Sequence, residues 1–251
     1  MHFRLPKPLH GWREFAGEVG IIVVGVLIAL SAEQLVEAVN QGQLRAGTRA
    51  AVRKDIEINL ASLQLRGQAE PCIGRRLAEL RKLIDEWGAT GQFTTPRWVA
   101  QAPVLGIDLS RYDAATAGGR VAMLPSEEQY RLGSLATSLH EFGVLEEGEG
   151  AAWGKLRELQ TGPRALSESD RAVIRGALQD AALSDYNART ALREVLPRAA
   201  KWGFRPDLAD FHEYARRVWK SGRFTPSICA AIDSDPARAN AATGQVVPLA
   251  Q

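Results

Sequence analysis

The chain has 251 residues, of which 45% are hydrophobic and 24% are charged, and its formal net charge at pH 7 is +2. This length allows a membrane anchor of roughly 30 residues and one domain of about 220 residues with its own core. The nearly neutral charge balance, without a run of lysine or arginine, argues against nucleic acid as a partner, because that binding depends on phosphate neutralisation.

One apolar stretch near the start, residues 15–32, predicts a single transmembrane helix. As a helix it measures about 27 Å, just enough for a hydrocarbon core of about 30 Å. Glu18 is its one charged residue, and it lies one turn in, where a side chain reaches the headgroups or faces another helix. Two alternatives remain open: a signal peptide cleaved near Ala29-Leu30-Ser31, and a buried helix of a soluble protein.

The flanking charges predict the orientation of this helix. Three basic residues precede it and two acidic residues follow it: Arg4, Lys7 and Arg13 before, Glu33 and Glu37 after. By the positive-inside rule, residues 1–14 form a cytoplasmic N-terminal tail and everything after the span is exported. We therefore expect a single-pass membrane protein, in contact with the lipid bilayer, whose C-terminal domain is exported from the cytoplasm.

One face of the predicted transmembrane helix carries Glu18, Gly25, Ala29 and Ala32, which lie within roughly 40° of one another at 100° per residue. Gly25 and Ala29 form a small-xxx-small pair, the arrangement that lets two membrane helices approach closely. This face predicts a homo-oligomer or a membrane-protein partner. The alternative is that small residues are simply common in membrane helices.

The pattern after the span predicts an all-α fold, in which an antiparallel helical bundle of about four major helices follows the transmembrane helix. Residues 33–70 form a long helix or stalk, whose polar stretch 40–48 is either exposed or a weak point. Residues 71–222 form the bundle domain, completed by the preceding helix. Residues 223–251 form a C-terminal tail, with little order from about residue 233.

Apolar stripes at coiled-coil-like spacing and breaks at glycine and proline delimit the helices. The first stripe is Val52, Ile56, Leu60 and Leu63, and the second is Ile73, Leu77, Leu80, Ile84 and Trp87. The predicted helices after the stalk are Pro71 to Gly88, Ser110 to Ala117, a long helix from Pro125 with a kink at Gly143, Gly148 and Gly150, Ser167 to about Ala200, and about Asp207 to Lys220.

The chain has two cysteines, Cys72 and Cys229. They are too few for a disulfide scaffold and lack the short spacing of a zinc site. Two interpretations stay open: two unrelated buried thiols, or a single bridge that closes a long loop. The bridge requires an oxidising compartment, so it depends on the exported location.

Asp185 is an ionisable residue in the apolar stripe of the helix that begins after Ser167. Burial of an unpaired charge is costly, so we predict an ion pair with Arg189 on the same helix, or with an arginine from a neighbouring helix. A partly exposed position and a functional site are the alternatives.

The anchor resembles the N-terminal signature of an uncharacterised family of bacterial single-pass membrane proteins, in which Gly-Glu precedes an apolar run ending Gly-Val-Leu-Ile-Ala-Leu. Here these residues are Gly17-Glu18 and Gly25 to Leu30. Asp55 to Leu60 and Ser110 to Pro125 look similar to two further stretches of that family. The resemblance covers about residues 11–145 and implies a membrane-anchored helical domain, with no catalytic residue to carry over. With the orientation given above, it implies a bacterial inner (cytoplasmic) membrane and a periplasmic C-terminal domain.

The sequence predicts no catalytic residue, metal site or cofactor. His140 and His212 lack His-Glu-x-x-His spacing, and the acidic group Glu146, Glu147 and Glu149 is interpreted as a solvated face. We therefore expect a non-enzymatic scaffold or interaction module in the cell envelope. The alternatives are a sensor-like, ligand-binding ectodomain that signals through a membrane partner, and an enzyme of unknown type.

Overall fold

The computed structural model describes residues 12–160, 167–209 and 228–235. Within these ranges the chain forms five α-helices, two short 3-10 turns and no strand, which confirms the predicted all-α class. The helices are α1 (Trp12–Gln68), α2 (Glu70–Thr90), α3 (Ser110–Ala117), α4 (Ser126–Arg157) and α5 (Glu168–Lys201). The 3-10 turns are Val121–Met123 and Glu158–Gln160.

The chain divides into two compact units, Met1–Arg49 and Ala50–Gln251, and α1 contributes residues to both. In the first unit, the side chains of residues 15–40 are exposed throughout. By length and composition, this part of α1 is long and apolar enough to cross a membrane. The polar stretch 40–48 is helical and continues the helix of the apolar segment, and its side chains are exposed except for the half-buried Gln41 and the buried Thr48.

Two clusters of buried apolar side chains fill the second unit. The first, which we call the α1 cluster, joins the end of α1 to α3, the first half of α4 and the second half of α5; it includes Val52, Ile56, Leu60, Leu63, Leu139, Phe142, Ala188 and Leu192. The second, the α2 cluster, joins α2 to the end of α4 and the first half of α5; it includes Ile73, Leu77, Leu80, Ile84, Trp87, Trp153, Ile174 and Ala181. Both predicted stripes therefore face the core.

The helices around these clusters run antiparallel to α5. Ion pairs join Arg189 to Glu70 and Arg175 to Asp85, so the start of α2 lies beside the second half of α5 and the end of α2 beside its first half. The first half of α4 shares a cluster with the second half of α5, and the end of α4 with the first half of α5. The second unit is therefore a bundle in which α2, α4, α5 and the end of α1 pack around the two clusters.

Two helix ends show how local chemistry sets the boundaries. The predicted cap of α5 is present: the Ser167 hydroxyl accepts the Asp170 N–H, and the Asp170 carboxylate accepts the Ser167 N–H. The predicted end of α2 at Gly88 is wrong by a few residues, because the helix continues to Thr90 and ends at Gly91. Gly91 has φ 71°, a left-handed conformation that glycine adopts without strain, and its N–H donates to the Trp87 carbonyl.

The glycines of α4 lie inside one continuous helix, Ser126–Arg157. At Gly143, an added β-carbon would lie 3.4 Å from Cβ of Ile107. The missing side chain thus lets the segment before α3 pack closely on α4. The predicted last helix, about Asp207 to Lys220, falls outside the described residues from position 210 onward, as do the predicted tail beyond residue 235 and the N-terminal residues 1–11.

Candidate functional site

A network of buried charged side chains lies in the second unit. From one nitrogen, Nη2, Arg66 of α1 donates to Glu149 of α4 over 2.9 Å and to Asp185 of α5 over 3.0 Å. All three side chains are at most 2% exposed. Two carboxylates thus share one guanidinium in an environment where water screens the charges little.

This network separates the two apolar clusters. In α4 and α5 it lies between residues of the two clusters: Phe142 and Ala152 flank Glu149, and Ala181 and Ala188 flank Asp185. In α1, Arg66 follows Leu63 of the α1 cluster, and the α2 cluster resumes at Ile73 in the next helix. The bundle therefore contains one ionic layer between two apolar layers.

The predicted pair of Asp185 and Arg189 is brought together in this layer. Nε of Arg189 lies 3.3 Å from Oδ2 of Asp185, and its Nη1 lies 3.6 Å from Glu70 of α2. Arg189 is 37% exposed, so it extends the network from the core to solvent. The structure adds Arg66, from a neighbouring helix, as a second partner of Asp185.

Two of the three glutamates interpreted as a solvated face are buried, so that interpretation was wrong for Glu146 and Glu149, while Glu147 is exposed. The carboxylate of Glu146 accepts the backbone N–H groups of Leu105 and Gly106, at 3.2 and 3.1 Å. Glu146 therefore holds the segment before α3 against α4, a contact that the interpretation as a solvated face did not include.

Burial changes the acidity of both buried glutamates. It raises the pKa of Glu146 to about 7, and the two N–H donors and Arg66 only partly oppose this effect. Burial also raises the pKa of Glu149, against the lowering influence of the Arg66 guanidinium. Glu146 and Glu149 therefore hold a proton more tightly than exposed glutamates do.

A second polar cluster joins α1 to the start of α3. Oδ2 of Asp55 accepts the N–H groups of Arg111 and Tyr112, at 2.7 and 3.1 Å, which satisfies the first turn of α3. The Asn59 amide donates to the Asp108 carbonyl over 2.7 Å and accepts the Asp108 N–H over 2.9 Å. Two of the stretches that carry the family resemblance, around residues 55–60 and from residue 110, therefore meet here.

This second cluster borders a pocket of about 100 Å³. Burial raises the pKa of Asp55, and the two backbone N–H donors and Arg111 oppose that rise. Known small-molecule sites occupy roughly 300–1,000 Å³, so the pocket has room for a few water molecules and no metabolite. The cluster is best explained as the clamp that fixes α3.

The segment 228–235 is held against α2 by covalent and polar contacts. Cys72 and Cys229, the two cysteines singled out in the sequence, are joined in a disulfide with sulfurs 2.00 Å apart. Trp98 donates its backbone N–H to the Ile232 carbonyl over 2.8 Å, and Arg75 donates to the Cys229 carbonyl, also over 2.8 Å. The bridge closes a loop across 157 positions.

Arg76, which is fully buried, organises the same region. Its guanidinium donates to the carbonyl of Trp98, 2.6 Å away, and to those of Val99 and Ala230, and it pairs with Glu79. Burial lowers the pKa of Arg76, and Glu79 opposes that shift. One arginine thus joins α2 to two segments that have no regular secondary structure.

The remaining residues singled out in the sequence form no cluster within the described chain. Glu18, Gly25, Ala29 and Ala32 are exposed along α1, and a β-carbon added at Gly25 would meet no atom within 4 Å. His140 lies 3.2 Å from Asp113 at the surface. His212 lies outside the described residues, among which no group of three or more potential metal ligands occurs.

The burial of Arg66, Glu146 and Glu149 was not predicted, although their spacing from the apolar residues of the same helices indicates it. Arg66 follows Leu63 by three residues and so continues the four-and-three stripe of α1. On α4, Glu146 and Glu149 continue in the same way the spacing of Leu139 and Phe142. Charged residues at such positions are predicted to be buried and paired.

No family model, curated protein or solved structure matches the chain.

Proposed function

We propose that the chain is a bacterial single-pass inner-membrane protein whose periplasmic helical domain serves as a non-enzymatic scaffold or interaction module in the cell envelope. Residues 1–14 are cytoplasmic in this proposal. The span contacts the lipid bilayer, and its Glu18, Gly25, Ala29 and Ala32 face meets another membrane helix. The resemblance of the anchor to bacterial single-pass proteins supports membership of that family.

The observation that carries the proposal is the continuity of α1. The helix is exposed and apolar where it begins, and its last turns contribute Val52, Ile56, Leu60 and Leu63 to the core of the bundle. An exposed apolar surface of this length has no favourable place in water, whereas lipid accommodates it. The same helix therefore supplies both the apolar segment and part of the core of the bundle, as expected of a tethered domain.

The disulfide supports export of the bundle. Bridges persist in oxidising compartments such as the periplasm and are rare in the cytosol. The basic residues before the span and the acidic residues after it agree with that orientation. Together they support a periplasmic position for the Cys72–Cys229 bridge.

The polar chemistry of the bundle supports a scaffold better than an enzyme or a ligand-binding sensor. Arg66 donates to both Glu149 and Asp185, and Asp55 and Asn59 bond to backbone groups. These groups therefore act structurally. The pocket beside Asp55 is too small for a metabolite.

The orientation is tested by fusing a reporter that is active only in the periplasm after residue 60, with a cytoplasm-dependent reporter at the same position as the matched control. We expect activity from the first fusion and none from the second. The opposite pattern would overturn the proposed location.

The scaffold role is tested by proximity labelling with the labelling enzyme fused to the C-terminus of the full chain. The control carries the same enzyme after residue 49, at the boundary of the first compact unit. We expect the full chain to label a reproducible set of envelope proteins that the anchor alone does not. Identical sets from both fusions would show that the bundle recruits no partner.

A further inference from the structure

The part of α1 between the apolar span and the bundle has an unpartnered apolar face. Leu35, Val36 and Val39 are 68, 61 and 52% exposed, and they follow the span within two turns. The opposite side of the helix has its own polar contacts: Gln41 donates to Glu37, and Arg45 donates to Gln41. The face with Glu37, Gln41 and Arg45 is therefore suited to water, whereas the face with Leu35, Val36 and Val39 is not.

The apolar face follows a repeat of alternately four and three residues. We call it the stalk stripe, and it consists of Gly25, Ala29, Ala32, Val36, Val39, Gln43 and Ala46. A period of 3.5 residues is the signature of helices that pack along a shared axis in a left-handed coiled coil. The repeat continues from the predicted membrane face into the residues after it without a change of register.

The composition of this part of α1 argues that it needs a partner helix. Asn40, Gly42 and Gly47 lie within it, and each glycine costs a helix about 1 kcal/mol relative to alanine. Side chains 33–47 are exposed apart from the half-buried Gln41, so packing within the described chain contributes little.

We propose that the stalk stripe pairs with the same stripe of a second copy of this chain, as a parallel two-helix coiled coil that continues from the membrane into the compartment beyond. The proposal rests on the proposed function for its membrane placement. Two copies inserted in the same direction present identical residues at the same depth in the membrane. A second copy therefore has a stripe with the matching repeat and register.

The residues along this face suit a symmetric partner. The amide of Gln43 carries both donors and an acceptor, so two such amides satisfy each other across a two-fold axis. Gly25, Ala29 and Ala32 are small enough to let the two backbones approach closely.

Cysteine cross-linking in membranes tests this pairing. Single cysteines replace Ala32, Val36, Val39 or Gln43 in the full chain, and Gln34→Cys and Gln41→Cys on the opposite face are the matched controls. We expect disulfide-linked homodimers from the stripe positions at about tenfold the yield of the controls. Equal yields on both faces, or no homodimer from any position, would overturn the proposal.

A charged residue in the stripe provides the second arm. Val39→Glu should lower the yield of Val36→Cys homodimers by about tenfold, because it places like charges opposite each other. Ala38→Glu, on another face, should leave the yield unchanged. An adduct with a different protein as the sole product would refute a second copy as the occupant and would leave the proposed function standing. Homodimers of a chain whose bundle proves to be cytoplasmic would support the pairing and refute the proposed location.

Discussion

Replacing Arg66 with methionine should strongly destabilise the second unit. Arg66 is the cation that both buried carboxylates share, at 2.9 Å from Glu149 and 3.0 Å from Asp185. Without it, Asp185 keeps a contact with the partly exposed Arg189, whereas Glu149 loses its nearest cation. Removal of one partner from a buried ion pair costs about 3–5 kcal/mol, so Arg66→Met should lower the free energy of unfolding by about that amount.

The matched control is Arg131→Met on α4. Arg131 forms an ion pair of the same chemistry and length, 2.9 Å, with Glu127, but both side chains are exposed. Water screens such a pair, and its loss should cost at most about 1 kcal/mol. The two variants therefore differ in burial and share the substitution.

Unfolding of the full chain in detergent micelles by urea provides the measurement. The fluorescence of the buried tryptophans Trp87, Trp98 and Trp153 and the circular dichroism of the helices should report the same transition. Equal losses for Arg66→Met and Arg131→Met would refute the argument that the buried network depends on its arginine. A triple apolar variant at Arg66, Glu149 and Asp185 should be within about 1 kcal/mol of the native chain or more stable, because no charge is then left unpaired.

Three further outcomes follow from the structure. Between pH 4.5 and about 7 the folded state holds a proton on Glu146 that the unfolded chain releases. The free energy of unfolding should therefore fall by up to about 3 kcal/mol as the pH rises through this range, and Glu146→Gln should make it less dependent on pH. Cys72 and Cys229 should resist alkylation until they are reduced, and Cys72→Ser should cost about 2–4 kcal/mol. Asp55→Ala should cost about 1–3 kcal/mol, measured by the same urea titration, whereas Asp113→Ala at the surface should cost less than about 0.5 kcal/mol.

The long helices could be predicted from the sequence because their apolar residues recur at helical spacing. The stripe of Ile73, Leu77, Leu80, Ile84 and Trp87 is buried as its spacing indicates, since residues three and four apart lie on one helix face. The cap of α5 was equally local, because Ser167 and Asp170 bond to each other. In both cases the interacting groups are close in sequence.

The contacts that fix the irregular segments were not predicted, because they join a side chain to backbone groups far away in the chain. Asn59 reaches the backbone of Asp108 across 49 residues, and Arg76 reaches Ala230 across 154. Any asparagine or arginine can make such bonds, so residue type alone does not indicate the partner. Only the folded arrangement of α1 and α2 brings these groups together.

The ionic layer also explains how three helices with repetitive apolar stripes find one alignment. The stripe of α5, which includes Leu178, Ala181, Ala188 and Leu192, repeats every seven residues, so a shift by one repeat would still bring apolar side chains together. Such a shift of α5 would break the buried contact between Asp185 and Arg66, which would leave Asp185 with the partly exposed Arg189 and Arg66 with Glu149 alone. A polar group within an apolar stripe is a known determinant of register in helical bundles, and here that group spans α1, α4 and α5 at once. The charged residues therefore contribute to the specificity of the fold through the energy of the misaligned states, even where apolar replacements would pack as well in the aligned one.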